Sequence, residues 1–146
     1  MRIYLDNCCF NRPFDDQSQL RIRLETEAKL AIQGLIRSRN LDLVWSYILD
    51  YENAANPYAE RQHVIGQWRQ LASVDIAAMP TVVDRARQFA SFGIKAKDAL
   101  HLACAIEGQC SHFLTTDEPL IRHARKIPDI IACTPITFAL ELDDHD

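Results

Sequence analysis

Asp6, Glu52, Asp98 and Asp117 are the side chains with the strongest claim to chemistry in this sequence. Asp6 follows the apolar run Ile3-Tyr4-Leu5 without a break, and Asp117 follows His112-Phe113-Leu114-Thr115. Both therefore sit where a buried strand ends. Glu52 lies one to two turns into a helix that Ser46 is suited to cap, and Asp98 lies near the start of a later helix. Carboxylates drawn together repel one another, and some take up protons. Divalent cations remove that conflict, and Mg²⁺ and Mn²⁺ favour oxygen ligands. A pair of such ions can activate a water and stabilise the attacking and leaving oxygens at a phosphodiester. Each acid also has a purely structural use. Asp6 can end a strand, Asp98 can complement a helix dipole, and Asp117 can cap the helix that Pro119 opens. Glu52 can be a solvated helix residue, with Asp50 competing for its place. Spacing alone leaves both uses open.

The elements that must position these acids alternate between strand and helix patterns. A first strand covers Ile3–Leu5, and the Pro and Asp content of residues 11–16 predicts a loop. A long helix is expected from about Ser18 to Arg39-Asn40. Leu20, Leu24, Ala28, Ala31 and Leu35 form its apolar face, and Glu25 and Lys29 an i,i+4 pair on its polar side. The second strand spans Leu41–Trp45, and the helix after Ser46 stops near Asn56-Pro57. Helical patterns follow at about 58–72, 80–91 and 96–108, with a short strand at Val74–Met79 and a break at Ser91-Phe92-Gly93. The strand 112–115 leads into a helix opened by Pro119. Ile130–Cys133 is a last strand, and Pro135 starts a terminal helix or turn. Strand–helix alternation predicts a parallel sheet covered on both faces, with ligands bound beyond the carboxyl ends of the strands.

The bulk properties exclude several classes. The chain has 146 residues, 48% hydrophobic and 25% charged, which fits one globular domain able to bury its own core. No basic n-region precedes a long apolar run, and no apolar segment reaches membrane-spanning length. A cytoplasmic protein without membrane association is expected. Five cysteines, two of them adjacent, suit neither a disulfide framework nor a zinc site. Cys104 and Cys133 read as core residues, and Cys8 reads as packing in preference to a catalytic thiol. The net charge of −4 resides in the tail acids Glu141, Asp143, Asp144 and Asp146 of an acidic segment at about 140–146. Upstream, Arg85, Arg87, Lys95, Lys97, Arg122, Arg125 and Lys126 make a locally basic stretch. An ordinary solvated face explains any one of them, and phosphate steering is the functional alternative.

Four segments carry a family resemblance: IYLDNCCFNRPF, WSYILDYENAANP, GIKAKDALHLACAI and SHFLTTDEPLIRHA. Together they resemble a PIN domain, the fold of small bacterial ribonucleases that include the VapC-like toxins of toxin–antitoxin pairs. The resemblance runs from about Ile3 to Phe138, and the segments around Asp98 and Asp117 are the most specific. It implies a three-layer α/β/α fold with a central, mainly parallel sheet, in one domain over 1–146. It also implies Mg²⁺ or Mn²⁺ and hydrolysis of RNA phosphodiesters, with a homodimer and a small antitoxin protein as partners. The four acids of the family fall on Asp6, Glu52 (not Asp50), Asp98 and Asp117, as metal ligands and catalytic groups. A supporting hydroxyl falls on Thr116. Asn7 stands where the family often has Thr or Ser, and it retains the capacity to hydrogen-bond. Glu118 is an additional acid beside the fourth. His101, one turn from Asp98, reads as a structural histidine.

Two other readings compete. A PIN-like chain without turnover would be an RNA- or partner-binding module, which the presence of all four acids disfavours. A phosphatase of Rossmann-like shape would use a D-x-D nucleophile, but Cys8 occupies the second acidic position. No P-loop or GxGxxG is present, which argues against nucleotide-dependent chemistry.

Overall fold

The computed structural model describes residues 1–144, so Asp146 of the expected acidic tail lies outside the described residues. Five short strands form one sheet: β1 (Arg2–Leu5), β2 (Asp42–Ser46), β3 (Val74–Ile76), β4 (His112–Leu114) and β5 (Ile131–Cys133). Their order is β3-β2-β1-β4-β5, and all four pairings are parallel. β1 is central, pairing Ile3 with Leu43 on one side and with His112 on the other. Ile3, Tyr4 and Leu5 are wholly buried, as the unbroken apolar run required. Helices cover both faces, giving the expected three-layer α/β/α architecture.

The helices are α1 (Asn7–Asn11), α2 (Leu20–Arg37), α3 (Tyr47–Ala54), α4 (Ala59–Gln67), α5 (Pro80–Ala90), α6 (Ala96–Glu107), α7 (Glu118–Ala124) and α8 (Pro135–Asp144). Two 3₁₀ turns, Arg12–Phe14 and Trp68–Leu71, complete the set. α5 packs on α6, and α2 on α8. Two expectations need correction. Residues 7–14, including much of the expected loop, are helical, because Asp6 caps the backbone of Asn7 and Pro13 opens a 3₁₀ turn. The described part of the acidic tail is the end of α8, whose Phe138 is anchored in the core.

The second correction concerns the face of α2. Leu20 and Leu24, assigned to the apolar side, are 61% and 45% exposed, and Leu30 is 50% exposed. The buried side instead carries Glu25, Lys29, Ile32, Gln33 and Ile36. Glu25 and Lys29 do not pair with each other. Glu25 takes Arg12 at 3.0 Å and Arg21 at 3.8 Å. The Lys29 ammonium lies 5.3 Å from the ring centroids of both Phe10 and Trp68. With its amide oxygen turned inward, Gln33 accepts from Lys29 and, at 3.1 Å, from Trp68 Nε1. Partnered polar side chains thus occupy positions that hydrophobic periodicity assigns to solvent.

Burial holds the Lys29 ammonium far below its ordinary range, at about 7. The unfolded chain therefore binds the extra proton between pH 7 and the ordinary lysine value. Stability from this site is fully available only above that upper limit and is lost as pH falls through 7. Lys29→Met is expected to raise unfolding free energy by about 1–3 kcal/mol at pH 6, with the gain shrinking toward pH 10. Denaturant titrations of both proteins across that range check it.

Candidate active site

The sheet order reverses direction between β1 and β4. In open parallel sheets, the crevice at such a switch point lies beyond the strand carboxyl ends. Asp6 leaves β1 at that point, and Thr115-Thr116-Asp117 leaves β4 beside it. The ladder continues one step past β1, where Asp6 N–H donates to the Leu114 carbonyl at 2.9 Å. Asp6 is 7% exposed. Its Oδ1 accepts from Asn7 N–H at 2.8 Å, and its Oδ2 accepts from the Thr115 hydroxyl at 2.8 Å. The Cys8 thiol reaches the same Oδ2 at 3.6 Å and Thr115 Oγ1 at 3.5 Å, so Cys8 packs beside the site. None of the five cysteines forms a disulfide.

Helix geometry supplies the other acids. Asp117 caps α7, accepting from Leu120 N–H at 3.2 Å. Asp98 occupies the first turn of α6. Three of the four acids thus stand at helix N-termini, where the peptide dipoles favour negative charge. Glu52 arrives from α3, whose start is fixed by Ser46 accepting from Leu49 N–H. Asp50 is otherwise engaged, accepting from Trp45 Nε1 at 2.9 Å and lying 3.7 Å from Arg69. Glu118 turns outward to Arg21 at 2.8 Å.

The acids share one electrostatic environment. Asp98 is pushed up to about 6, first by burial and then by the charges of Asp6 and Asp117. Burial also raises Glu52, but the bond and charge of His101, with Lys97 and Asn7, hold it below the usual carboxylate range. A recess of about 110 Å³ beside Asp98 and Asp117 is also lined by Lys95 and His123.

His101 is the residue that sequence reading set aside, yet it belongs to this cluster. It is 1% exposed. Its Nε2 contacts Glu52 Oε1 and lies 3.8 Å from Asp6 Oδ1. Burial alone would lower its pKa, but Glu52, Asp6 and Asp98 outweigh that and raise it. Asp6, Glu52 and His101 present ligand atoms within 4.8 Å of one another, a spacing able to hold a metal ion. The supporting hydroxyl also moves by one residue. Thr116, assigned that part, accepts from Arg12 Nη2 at 3.3 Å, whereas Thr115 bonds Asp6 and accepts from Asp117 N–H at 3.2 Å. The one available sequence signal was the pair of adjacent threonines, and strand alternation decides which one turns inward.

The donor set fits hard divalent cations. It is carboxylate-rich: Asp6, Glu52 and His101 have the spacing of metal ligands, and Asp98 and Asp117 add negative charge beside them. No protein-family model matches the chain, and no curated protein matches it. Among solved structures, it is similar to a chain of VapBC2 from Rickettsia felis bound to a DNA fragment from their promoter. That match has 14% identity and a TM-score of 0.60, and covers 92% of this chain and 98% of that one. It is also similar to a chain of a toxin-antitoxin complex from Klebsiella pneumoniae, with 20% identity, a TM-score of 0.54, and coverage of 91% and 97%. At these identities the likeness is one of fold, and the fold is the PIN-like one that the sequence resembles.

Neutralising Asp98 relieves repulsion in the metal-free protein. Asp98→Asn is expected to stabilise it by about 1 kcal/mol at pH 7.5. The gain fades as pH falls from 6 toward 4, because an acid whose folded pKa is raised costs stability only when ionised. The same variant is expected to lose most of the Tm increase that Mn²⁺ gives the parent protein. Thermal melts with and without Mn²⁺ read both effects.

Proposed function

We propose that this chain is a metal-dependent endoribonuclease acting as the toxin of a toxin–antitoxin pair. The observation that carries the reading is geometric: the Thr115 hydroxyl bonds both the Asp6 carboxylate and the Asp117 backbone, and Asp117 lines one recess with Asp98. Glu52 joins them from α3. These four carboxylates would hold Mg²⁺ or Mn²⁺. When bound, the cation supplies positive charge at a phosphodiester and lowers the pKa of water. Asp6 is fixed by Thr115 and by the backbone of Asn7, which keeps one ligand in place before any cation arrives. Asn7 also supports Glu52.

The solved structures of similar fold are described as toxin–antitoxin assemblies, which supports a small antitoxin as partner. A homodimer belongs to the same reading, and exposed Leu20, Leu24 and Leu30 of α2 offer apolar surface for either contact. No described helix is long and apolar enough to cross a membrane.

Purified protein with Mn²⁺ is expected to cleave tRNA or rRNA fragments, and Asp6→Asn or Asp98→Asn to lower the rate at least ~100-fold. Intact RNA together with no metal-dependent rise in Tm would identify a binding module without turnover. Lys95 and Lys97 shortly precede Asp98 and form no ion pair among the described residues. Replacing both with Ala is expected to weaken binding of uncleaved RNA and to reduce its salt dependence, as measured by fluorescence anisotropy across an ionic-strength series.

A further inference from the structure

Behind Glu52 lies an unbroken chain of buried polar groups. Tyr4 and Ser46 are wholly inaccessible, and His101 nearly so. Ser46 Oγ and the Tyr4 hydroxyl are 2.6 Å apart, and the same hydroxyl lies 2.6 Å from His101 Nδ1. The far ring nitrogen, Nε2, contacts Glu52. Distances alone leave the proton positions undecided, but a count of donors and acceptors favours one arrangement.

Ser46 Oγ already accepts from Leu49 N–H. Its own proton has two neighbours, the phenol oxygen of Tyr4 and the Cys104 thiol. Sulfur is a weak acceptor, so the proton goes to Tyr4. The single Tyr4 proton then has one acceptor left, His101 Nδ1. A ring nitrogen that accepts carries no proton, so the ring proton sits on Nε2 and is donated to Glu52. The contact itself agrees, since a bare Nε2 and a carboxylate oxygen would repel. In the reverse arrangement Nδ1 donates to the phenol, Tyr4 turns its proton onto Ser46, and the Ser46 proton is left to sulfur. The acids around the ring favour a second proton, yet an imidazolium requires that same reversed arrangement.

We propose that Tyr4 and His101 form a buried positioning relay that fixes His101 as an Nε2–H donor to Glu52, so that His101 orients this carboxylate and does not ligate the cation. The consequence for metal choice rests on the nuclease reading above. With nitrogen withdrawn, the ligands are oxygens, which suits Mg²⁺ and Mn²⁺ over Zn²⁺. Tyr4 and His101 are positioning residues, acting through Glu52.

The test is a long-range ¹H–¹⁵N correlation spectrum of the whole chain labelled at histidine, at pH 7.5, with and without Mg²⁺. The His101 signals are assigned by their loss in His101→Gln. The expected spectrum has Nε2 protonated and Nδ1 bare in both samples. A protonated Nδ1 with bare Nε2, protons on both nitrogens, or loss of the Nε2 proton on adding Mg²⁺ would each overturn the relay. The wild-type spectra carry the decision, and His101→Gln serves only to assign the signals. Tyr4→Phe keeps the ring stacked on Phe113 but removes the donor to Nδ1. It is expected to mix the two tautomers, lower Mn²⁺ affinity about 10-fold, and raise Zn²⁺ affinity relative to Mn²⁺. An unchanged tautomer and unchanged affinities in that variant would also overturn it. The spectrum is independent of RNA cleavage. An inactive protein with Nε2 protonated keeps the relay and removes the nuclease reading, whereas an active one with Nε2 bare does the reverse.

Discussion

Like charges gathered at the end of a buried strand set the terms for this structure. Asp6 is carried by the central strand of the sheet, so it cannot retreat to solvent without pulling β1 with it. Several neighbouring groups offset negative charge. The Asn7 amide and the Thr115 hydroxyl each take one carboxylate oxygen. α6 and α7 direct their N-terminal ends at Asp98 and Asp117. His101 meets Glu52 from the core side. Even so, Asp98 remains under strain from its neighbours. Like charge gathered this closely at one crevice is relieved by protonation or by a cation.

The same economy of buried polar groups appears on the opposite side of α1. Arg12 bridges Asp15 at 2.9 Å and Glu25 at 3.0 Å, and its remaining nitrogen reaches Thr116. Glu25 is wholly buried, yet it is held by two arginines. This network ties α2 to the loop that carries Asp117, so the long helix and the acidic crevice are mechanically linked. Lys29 and Gln33 continue the polar line along α2 between Phe10 and Trp68. A helix whose buried face is charged and whose exposed face carries leucines has surface suited to a partner, and its buried polar groups favour one packing over others.

The acids and strands were legible because their signals are local. An apolar run ending in Asp reads as a strand terminus, and Pro119 two residues after Asp117 marks the helix that Asp117 caps. Choosing Glu52 over Asp50 required the family resemblance. In the structure Trp45 and Arg69 occupy Asp50, whereas Glu52 contacts His101. The orientation of α2 was misread because amphipathic periodicity assumes that charged side chains seek water. Glu25 and Lys29 find partners in Arg12, Phe10 and Trp68, from elements that lie outside the helix.

By itself the sequence determined the strand–helix alternation, the parallel sheet and the places of four carboxylates, two just past strands and two within helices. Those follow from apolar periodicity and helix-starting residues, which act over a few positions. Only the tertiary structure decided which groups surround the carboxylates. The Thr115 hydroxyl meets Asp6 across 109 positions, Tyr4 meets His101 across 97, and His101 meets Glu52 across 49. Such contacts depend on strand register and on the rotation of α6 about its axis. A one-residue change in either would bring Thr116 or a neighbouring α6 side chain into the site instead. No local pattern records that rotation, so His101 looked like one more core residue until β1, α3 and α6 were seen together.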